Sequence, residues 1–366
     1  MTATDIPVEQ RDYSLVGADA RRAVEIGLAS AKWYHSDVPR AAMKDLMKRT
    51  DGPAIRDTII WFALLICGAG GGIYYWGTWA CVPFFVIYGV IYGSSCDSRW
   101  HECGHGTAFR TPWMNDVIYN IASFMVMRNP VTWRWSHARH HTDTYIVGRD
   151  AEIAWMRPPK TLMNFLAFFD VIGTIKSLQT LARNAMGTLS PDEKNFIPES
   201  EWGKMVLAAR IHMVLYAATI ATALAMGSWL PLMLIGLPRI YGCWHMVMAG
   251  HLQHAGLADN VLDHRLNSRT VYMNPISRYI YWNMNYHVEH HMFPMVPYHA
   301  LPRLHALIKN DLPPANPSIL HGYREILASL RQQKSDPGYA YRKELPPTAR
   351  PYRDEFHTLH IARPGT

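Results

Sequence analysis

Two long stretches without a charged residue constrain the fold more than any other feature of this sequence. Neither residues 58–96 nor residues 211–238 contain Asp, Glu, Lys or Arg. A helix needs about 20 residues to cross the hydrocarbon core of a bilayer, so the first stretch is long enough for two crossings. The second stretch covers one crossing and half of another. The pattern predicts an all-α, multi-pass integral membrane protein.

The remaining composition argues against two other classes of protein. Charged residues make up 18% of the chain, below the typical share of about 25%, and the net charge is +7. Positive residues lie beside the apolar stretches, as the positive-inside rule describes, and form no stripe interleaved with aromatic residues. We therefore expect a lipid bilayer and no nucleic acid as a partner. The five cysteines contain no CxxC pair, which argues against a cysteine-based zinc or rubredoxin-like site.

The charge pattern also predicts the topology. The turns between paired spans carry no charge, and nearly all Lys and Arg lie on the other face, so both termini are predicted to be cytoplasmic. Apolar segments 113–127 and 162–175 each contain an acid and are expected to lie at the interface rather than cross it. We expect three parts: a cytosolic lead-in at 1–56, a membrane domain at 57–310, and a C-terminal cytosolic helix and tail at 311–366. Within the membrane domain, the predicted spans are 57–76, 79–98, 205–226 and 229–249. The rest of that domain, 99–204 and 250–310, is predicted to form a cytosolic cap.

Histidines are concentrated in three motifs, HECGH, HARHH and HVEHH, which contain His101, His105, His137, His140, His141, His287, His290 and His291. Helical positions i, i+3 and i+4 share a face, so each motif can direct its imidazoles to one point. Eight imidazoles exceed the four ligands of a tetrahedral zinc site and suit two metal ions. Imidazole is compatible with Zn, Cu, Fe or Ni, and iron is the natural candidate for a redox site that binds O2. The motifs can meet only on one side of the membrane, which favours four spans and a cytoplasmic active site.

HECGH also matches the HExxH pattern of zinc metalloproteases, with Glu102 as the general base. Such an enzyme has no use for the other two motifs, so an intramembrane metalloprotease is the remote alternative. A membrane metal-binding or transport protein would need polar residues along a path through the spans, whereas these histidines lie at one end. The histidine pattern therefore favours an oxidase.

Several other residues are candidates for the surroundings of the metals. Metal-bound histidine usually donates its second N–H to a carboxylate or carbonyl, and four acids are close in sequence to the motifs: Glu102, Asp143, Asp150 and Glu289. Arg239 lies within the fourth predicted span and could hold either a substrate carboxylate or protein carbonyls. Trp135 is one of several tryptophans near the motifs that could line a hydrophobic substrate tunnel. His251 and His254 can both face the site, and helix geometry does not choose between them.

The three motifs, with a pair of spans between the second and third, resemble the membrane fatty-acid desaturase and hydroxylase superfamily over about residues 57–310. The passage NMNYHVEHHMFPMVPYHALPRLH at 283–305 is similar to its third-motif region. The resemblance implies four transmembrane helices under a cytosolic cap, with a di-iron centre at the junction. It implies that the eight motif histidines are ligands, and that LQH at 252–254 supplies a ninth, His254. His251 is then a candidate for the outer shell.

The resemblance implies an O2-dependent di-iron oxidase that attacks an unactivated C–H bond of a hydrophobic substrate, with fatty acyl desaturation as the leading interpretation. A membrane hydroxylase or other monooxygenase of an alkyl or small hydrophobic substrate is the alternative. The HPGG signature of a fused cytochrome b5 domain is absent. We therefore expect electrons from a separate ferredoxin, rubredoxin or cytochrome b5-type protein and its reductase.

Overall fold

The computed structural model describes residues 11–356 and confirms the all-α prediction. Within this range the only extended pairings are two isolated bridges, Thr270 with Tyr286 and Val271 with Asn316. The first ten residues of the predicted lead-in and the last ten of the predicted tail lie outside the described range.

The described residues form nineteen α-helices, which range from four to 28 residues in length. The first nine are α1 (Ala18–Glu25), α2 (Arg40–Leu46), α3 (Gly52–Tyr74), α4 (Cys81–Gly93), α5 (Ser95–Gly104), α6 (Pro112–Met125), α7 (Pro130–Thr142), α8 (Thr161–Leu166) and α9 (Val171–Ala185). The others are α10 (Pro191–Phe196), α11 (Glu199–Met226), α12 (Leu230–Leu234), α13 (Pro238–Tyr241), α14 (Trp244–His254), α15 (His264–Asn267), α16 (Pro275–Ile280), α17 (His287–Met292), α18 (Leu301–Ile308) and α19 (Ile319–Ser335).

Two helices in the described range, α3 and α11, are individually long and apolar enough to cross a membrane. They correspond to the first and third predicted spans. Both exceed the length of about 20 residues that a bilayer core requires. The structure therefore shows a membrane protein with at least two candidate spans.

The second and fourth predicted spans are not continuous helices. The chain from 79 to 98 divides into α4 and the start of α5, and the chain from 229 to 249 divides into α12, α13 and part of α14. Proline at the start of α13 and close packing of glycines accompany these breaks. A Cβ atom at Gly242 would collide with the backbone of Gly89, and one at Gly93 would collide with the carbonyl of Pro238. The two broken segments thus cross backbone to backbone, as small residues permit in membranes.

The two segments expected at the interface behave differently. Helix α6, which contains most of the first segment, is not a candidate span. The second segment forms α8, a 3-10 turn and α9, and the chain bends by 78° between Thr161–Phe169 and Val171–Ala185. Asp170, at the bend, has a left-handed φ of 41°. Taken together as one segment, this bent pair is also long and apolar enough to cross a membrane. The described residues therefore contain two candidate spans, or three if the bent pair forms a single span.

A buried arginine ties the membrane helix α3 to the helix that carries the first histidine motif. The Arg99 guanidinium donates to the carbonyl oxygens of Ser95 and Ile280, both at 3.0 Å. It also lies over the rings of Trp61 and Trp282, at 5.3 and 4.8 Å from their centroids. Cation–π contacts of this kind are strongest when desolvated. Because Trp61 belongs to α3, the arrangement fixes α5 above that helix.

Candidate metal centre

The structure brings the nine predicted histidines together in two neighbouring clusters, and seven of the nine side chains are buried. Cluster A contains the two histidines of HECGH, two from α7 and one from α17: His101, His105, His137, His141 and His290. Their ligand atoms all lie within 4.8 Å of one another. His137 Nε2 is 3.1 Å from the Nε2 atoms of His101, His105 and His141. His290 Nε2 is 2.8 Å from His101 Nε2 and 3.2 Å from His141 Nε2.

Cluster B contains one histidine from α7, one from the end of α14 and two from α17: His140, His254, His287 and His291. All four are buried, and their ligand atoms also lie within 4.8 Å of one another. His287 Nε2 is 3.0 Å from both His254 Nε2 and His291 Nε2. The structure therefore places His254 in the cluster.

Helices α7 and α17 each contribute to both clusters, which corrects the expectation that each motif directs its histidines to one point. In α7, His137 and His141 belong to cluster A and His140 to cluster B. In α17 the division is the opposite: His290 belongs to cluster A, and the i, i+4 pair of His287 and His291 belongs to cluster B. Positions i and i+4 lie closest to one axial line on a helix, and position i+3 lies to one side of it. The HxxHH spacing thus lets one helix face two adjacent metals.

The Nε2 contacts are explained by metal ions better than by hydrogen bonds. A neutral imidazole whose Nδ1 carries the proton has only a lone pair at Nε2, so two such atoms cannot hydrogen-bond to each other. His137 Nε2 nevertheless approaches three other Nε2 atoms. A nitrogen ligand lies about 2.1 Å from a divalent ion, so two ligands at a right angle are about 3.0 Å apart. The observed spacings match that value, and the donor set fits two metal ions.

Hydrogen bonds from outside fix four of these imidazoles with Nε2 directed inward. Nδ1–H of His137 can donate to Glu152 at 2.9 Å, and Nδ1–H of His140 can donate to Asp150 at 2.8 Å. His254 Nδ1 lies 2.7 Å from the carbonyl oxygen of Asn267. Such partners set the tautomer and ring orientation of metal-binding histidines.

The fourth bond comes from a threonine with two roles. The Thr144 hydroxyl donates to the His140 carbonyl at 2.6 Å, so its oxygen can accept from Nδ1–H of His291 at 3.2 Å. Thr144 is fully buried, where each such bond is protected from water. It therefore links two cluster B histidines that come from different helices.

Burial keeps most of the imidazoles in the form that binds metal. Desolvation is the main reason that the pKa values of His101, His137, His254 and His287 lie well below the usual range for histidine. His140 is different: burial alone would lower its pKa, but the charge and hydrogen bond of Asp150 raise it overall. Neutral imidazole is the ligand form, so depressed pKa values favour metal binding near neutral pH.

The acids that are nearest in sequence are not generally nearest in space. Of the four acids predicted to bond the motif histidines, only Asp150 does so. Glu102 accepts from the Thr107 hydroxyl at 2.7 Å and the Tyr298 N–H at 3.0 Å. These contacts correct the prediction for Glu102 and leave it outside both clusters.

The other two acids also bond elsewhere. Asp143 forms ion pairs with Arg139 at 2.6 Å and with Arg149 at 3.1 Å. Glu289 accepts from the Thr270 hydroxyl at 2.6 Å and pairs with His305. Both predictions are therefore corrected, because nearby cations and hydroxyl groups satisfy these carboxylates first.

His251 and His254 separate clearly. The ring of His251 is surrounded by Trp155, Phe165 and Phe168, at centroid distances of 5.0, 5.7 and 5.5 Å. Its Nδ1 atom is 3.4 Å from the Tyr323 hydroxyl, and it belongs to neither cluster. His251 thus packs in an aromatic pocket beside the centre.

Sequence reasoning missed Glu152, Thr144 and Asn267, all of which bond cluster histidines. Glu152 follows Asp150 by two residues, and its position in the same loop was the available signal. Thr144 and Asn267 carry no charge, and no sequence pattern separates them from ordinary polar residues.

A cavity of about 540 Å³ opens beside the clusters and touches both of them. Its wall includes His101 and His137 from cluster A and His140 and His287 from cluster B. The volume is within the range of about 300–1,000 Å³ that is typical of small-molecule sites. Both clusters therefore border one cavity of that size.

The two predicted substrate contacts have different outcomes. Arg239 lines this cavity and is buried, but its guanidinium is bonded to the Asp170 carboxylate rather than to carbonyl groups. Trp135 is not part of the wall; it is 37% exposed and borders a separate pocket beside Arg134 and Lys204. The cavity wall instead contains Trp100, Trp133 and Trp155.

Paired histidine clusters above membrane helices define a class of integral-membrane metalloproteins with a histidine-rich dinuclear centre. A sequence profile of the fatty acid desaturase family matches residues 77–323. The chain belongs to this family. Membership also argues against the metalloprotease alternative, because HECGH joins the other two motifs in one centre.

The chain is similar to several curated plant proteins. It is 25% identical to the probable fatty acid desaturase DES1 of Sorghum bicolor, over 61% of this chain and 62% of that protein. It is 21% identical to a chloroplastic omega-3 fatty acid desaturase of Sesamum indicum, over 69% of this chain and 59% of that protein. It is 24% identical to the temperature-sensitive sn-2 acyl-lipid omega-3 desaturase (ferredoxin) of Arabidopsis thaliana, over 80% and 72% respectively. The chain thus spans about three fifths of the length of the first two relatives.

Proposed function

We propose that this protein is an O2-dependent di-iron oxidase that desaturates a fatty acyl chain. The observation that carries the proposal is the pair of all-histidine clusters that share one substrate-sized cavity. The named desaturase activities of the relatives support the same reaction. A hydrophobic chain in the cavity would lie beside both clusters.

Nine neutral nitrogen ligands would hold the two irons, five in cluster A and four in cluster B. When bound, the irons supply the O2 activation that no side chain can provide. The protein contributes the positions of the ligands, with Glu152 and Asp150 accepting the Nδ1 protons of His137 and His140. Burial of the clusters excludes bulk water, which protects a reactive centre from side reactions.

The proposed reaction balances with a separate electron donor. Two hydrogen atoms leave adjacent carbons of the chain and a C=C bond forms, which supplies two electrons. The donor supplies two more, with two protons from solvent, and O2 leaves as two water molecules. The Arabidopsis relative is named for ferredoxin, and a one-electron carrier of this kind with its reductase is the proposed partner.

The proposed topology has four spans, with α4 and α5 completing the second and α12 to α14 the fourth. Both termini and all three histidine motifs then lie in the cytoplasm. The clusters support this arrangement because they unite residues that precede and follow every apolar segment after α4. Segments between the motifs must therefore return to the same side.

Single cysteines test the topology in a background that lacks the five native ones. Thr78→Cys and Ser228→Cys should react in intact cells with an impermeant thiol reagent, because they lie in the outer turns. Thr142→Cys and Ser335→Cys should react only after the cells are opened. Labelling of Thr142→Cys in intact cells would contradict the model of four spans.

Metal and product analysis tests the function. Purified without added zinc, the active protein should contain about two irons per chain, because nine imidazoles exceed the needs of one ion. With O2, a reductase chain and fatty acyl substrates, it should release products with one additional double bond. Full activity with one zinc or without iron would refute the oxidase, and a hydroxylated product alone would replace desaturation by monooxygenase chemistry.

A further inference from the structure

Three stacked rings lead from the surface of the cap to cluster B. The indole of Trp33 lies parallel to the imidazole of His264, with centroids 4.2 Å apart and an angle of 3° between the planes. His264 in turn stacks on His291 of cluster B, at 5.1 Å and 30°. Two ring-to-ring steps thus connect the indole to a proposed ligand of the metal.

The first ring is accessible and the second is not. Trp33 is partly exposed, whereas His264 is 1% exposed. The indole N–H donates to the Thr142 carbonyl at 2.9 Å, which fixes the orientation of the ring at the end of α7. Electron tunnelling weakens steeply across gaps, and rings in van der Waals contact leave little gap. The stack is therefore suited to carry an electron from the surface to the buried centre.

Several positive side chains belong to the chain segments that contain or contact Trp33. Lys32 precedes it and is exposed, and the guanidinium of Arg353 donates to the Lys32 carbonyl. Arg139 is in the last turn of α7, and Arg149 lies in the loop after it. Both pair with the Asp143 carboxylate. These four cations outnumber the two carboxylates that pair with them, Asp143 and Glu355. The excess of positive charge would attract a partner with an acidic surface and orient it during encounter.

We propose that Trp33 and His264 form the electron-entry route, and that a one-electron carrier with an acidic surface, of the [2Fe–2S] ferredoxin type, docks over Trp33. The proposal rests on the proposed function, which requires an external donor. In each transfer the carrier would lose one electron, and the metal that cluster B would hold would gain it. No covalent bond changes, and two transfers supply the two donor electrons of one desaturation.

The route is tested by the rate at which the iron-loaded protein oxidises reduced plant-type ferredoxin, followed by stopped-flow absorbance. Trp33→Leu removes the first ring and should lose most of the ferredoxin-dependent rate. Trp33→Phe keeps a ring without the N–H and should retain a larger part of it. Trp135→Leu changes a partly exposed tryptophan elsewhere on the cap and should match the wild type. Reduction by a small viologen, which needs no docking, should be the same in all four proteins.

Docking is tested separately by calorimetric titration of the oxidised, iron-loaded protein with oxidised ferredoxin, so that no electron is transferred. Lys32→Glu should weaken binding by about fivefold at low ionic strength, and the difference should shrink at high salt, where surface charges are screened. Lys334→Glu makes the same charge change at another exposed lysine and should leave binding unchanged.

The outcomes separate this inference from the proposed function. Oxidation of ferredoxin by Trp33→Leu at the wild-type rate would overturn the route, whatever product the enzyme makes. Equal binding by Lys32→Glu and wild type would overturn the docking surface. If ferredoxin is oxidised through Trp33 but no acyl product is formed, the route stands and the proposed desaturation fails.

Discussion

Clusters A and B differ in how they are held in place. In cluster B, three of four histidines have an outer hydrogen-bond partner, supplied by Asp150, Asn267 and Thr144. In cluster A, which has five histidines, His137 bonds to Glu152, whereas Nδ1 of His141 and Nδ1 of His290 are buried without a partner among residues 11–356. The comparison suggests a division of roles, in which cluster B is preorganised by the protein and cluster A depends more on its larger number of ligands.

Loss of a cluster B ligand is expected to have the largest effect. His254→Ala should abolish turnover and reduce iron to about one atom per chain or fewer, because its cluster has only four ligands. His251→Ala is the matched control from the same helix and should be less severe, since its ring packs outside both clusters. Iron content and product formation are measured together. Two irons and normal activity in His254→Ala, with both lost in His251→Ala, would reverse the assignment.

The second-largest effects are expected from the carboxylates that bond cluster histidines, Asp150 beside cluster B and Glu152 beside cluster A. Comparing the two substitutions distinguishes the clusters. Asp150→Asn should lower metal affinity or activity by about 10- to 100-fold, the usual cost of losing such a partner. Asp150 also accepts the backbone N–H groups of Tyr145 and Glu152, both at 2.8 Å, so this loss should exceed that of Glu152→Gln. Competition with a chelator measures the affinity.

Glu344→Gln is the control for a charge change at an exposed position. If Glu152→Gln has the larger effect, the view that cluster B is the more strongly preorganised of the two is wrong.

A smaller effect is expected at the threonine beside His291. Thr144→Val keeps the shape but removes the acceptor for His291 Nδ1, and one hydrogen bond contributes about 1 kcal/mol, or about a fivefold change in affinity. Thr144→Ser keeps the hydroxyl and should stay close to wild type. Spectroscopic titration with Co²⁺ as a probe would report the affinity of cluster B. A Thr144→Val protein that binds as tightly as Thr144→Ser would show that this bond is dispensable.

The sequence was sufficient for those parts of the fold that depend on local composition. The charge-free stretches identified α3 and α11, each of which is long and contains an apolar window of 18 residues. It was not sufficient for the second and fourth predicted spans, because their breaks depend on a contact between Gly89 and Gly242, which are distant in the sequence. A glycine inside an apolar run gives no indication of the chain that it will touch.

The same limit applies to the centre. The three histidine motifs predicted a group of eight ligands, and the family resemblance added His254. The division of the nine between two clusters depends on how α7 and α17 face each other. The outer partners are chosen by tertiary distance. Asp143 is closer to the second motif in sequence than Glu152, yet it pairs with Arg139 and Arg149.

The sharing of α7 and α17 between the clusters has a consequence for how iron is acquired. An ion in either cluster would hold both helices in position, so the second ion would meet ligands that have already lost their conformational freedom. Loading is then positively cooperative, and chains with a single ion are fewer than independent binding at the two clusters would give. Under iron shortage a larger share of the protein would then be either complete or empty, and total activity would fall mainly through the number of working molecules while each retained its normal rate.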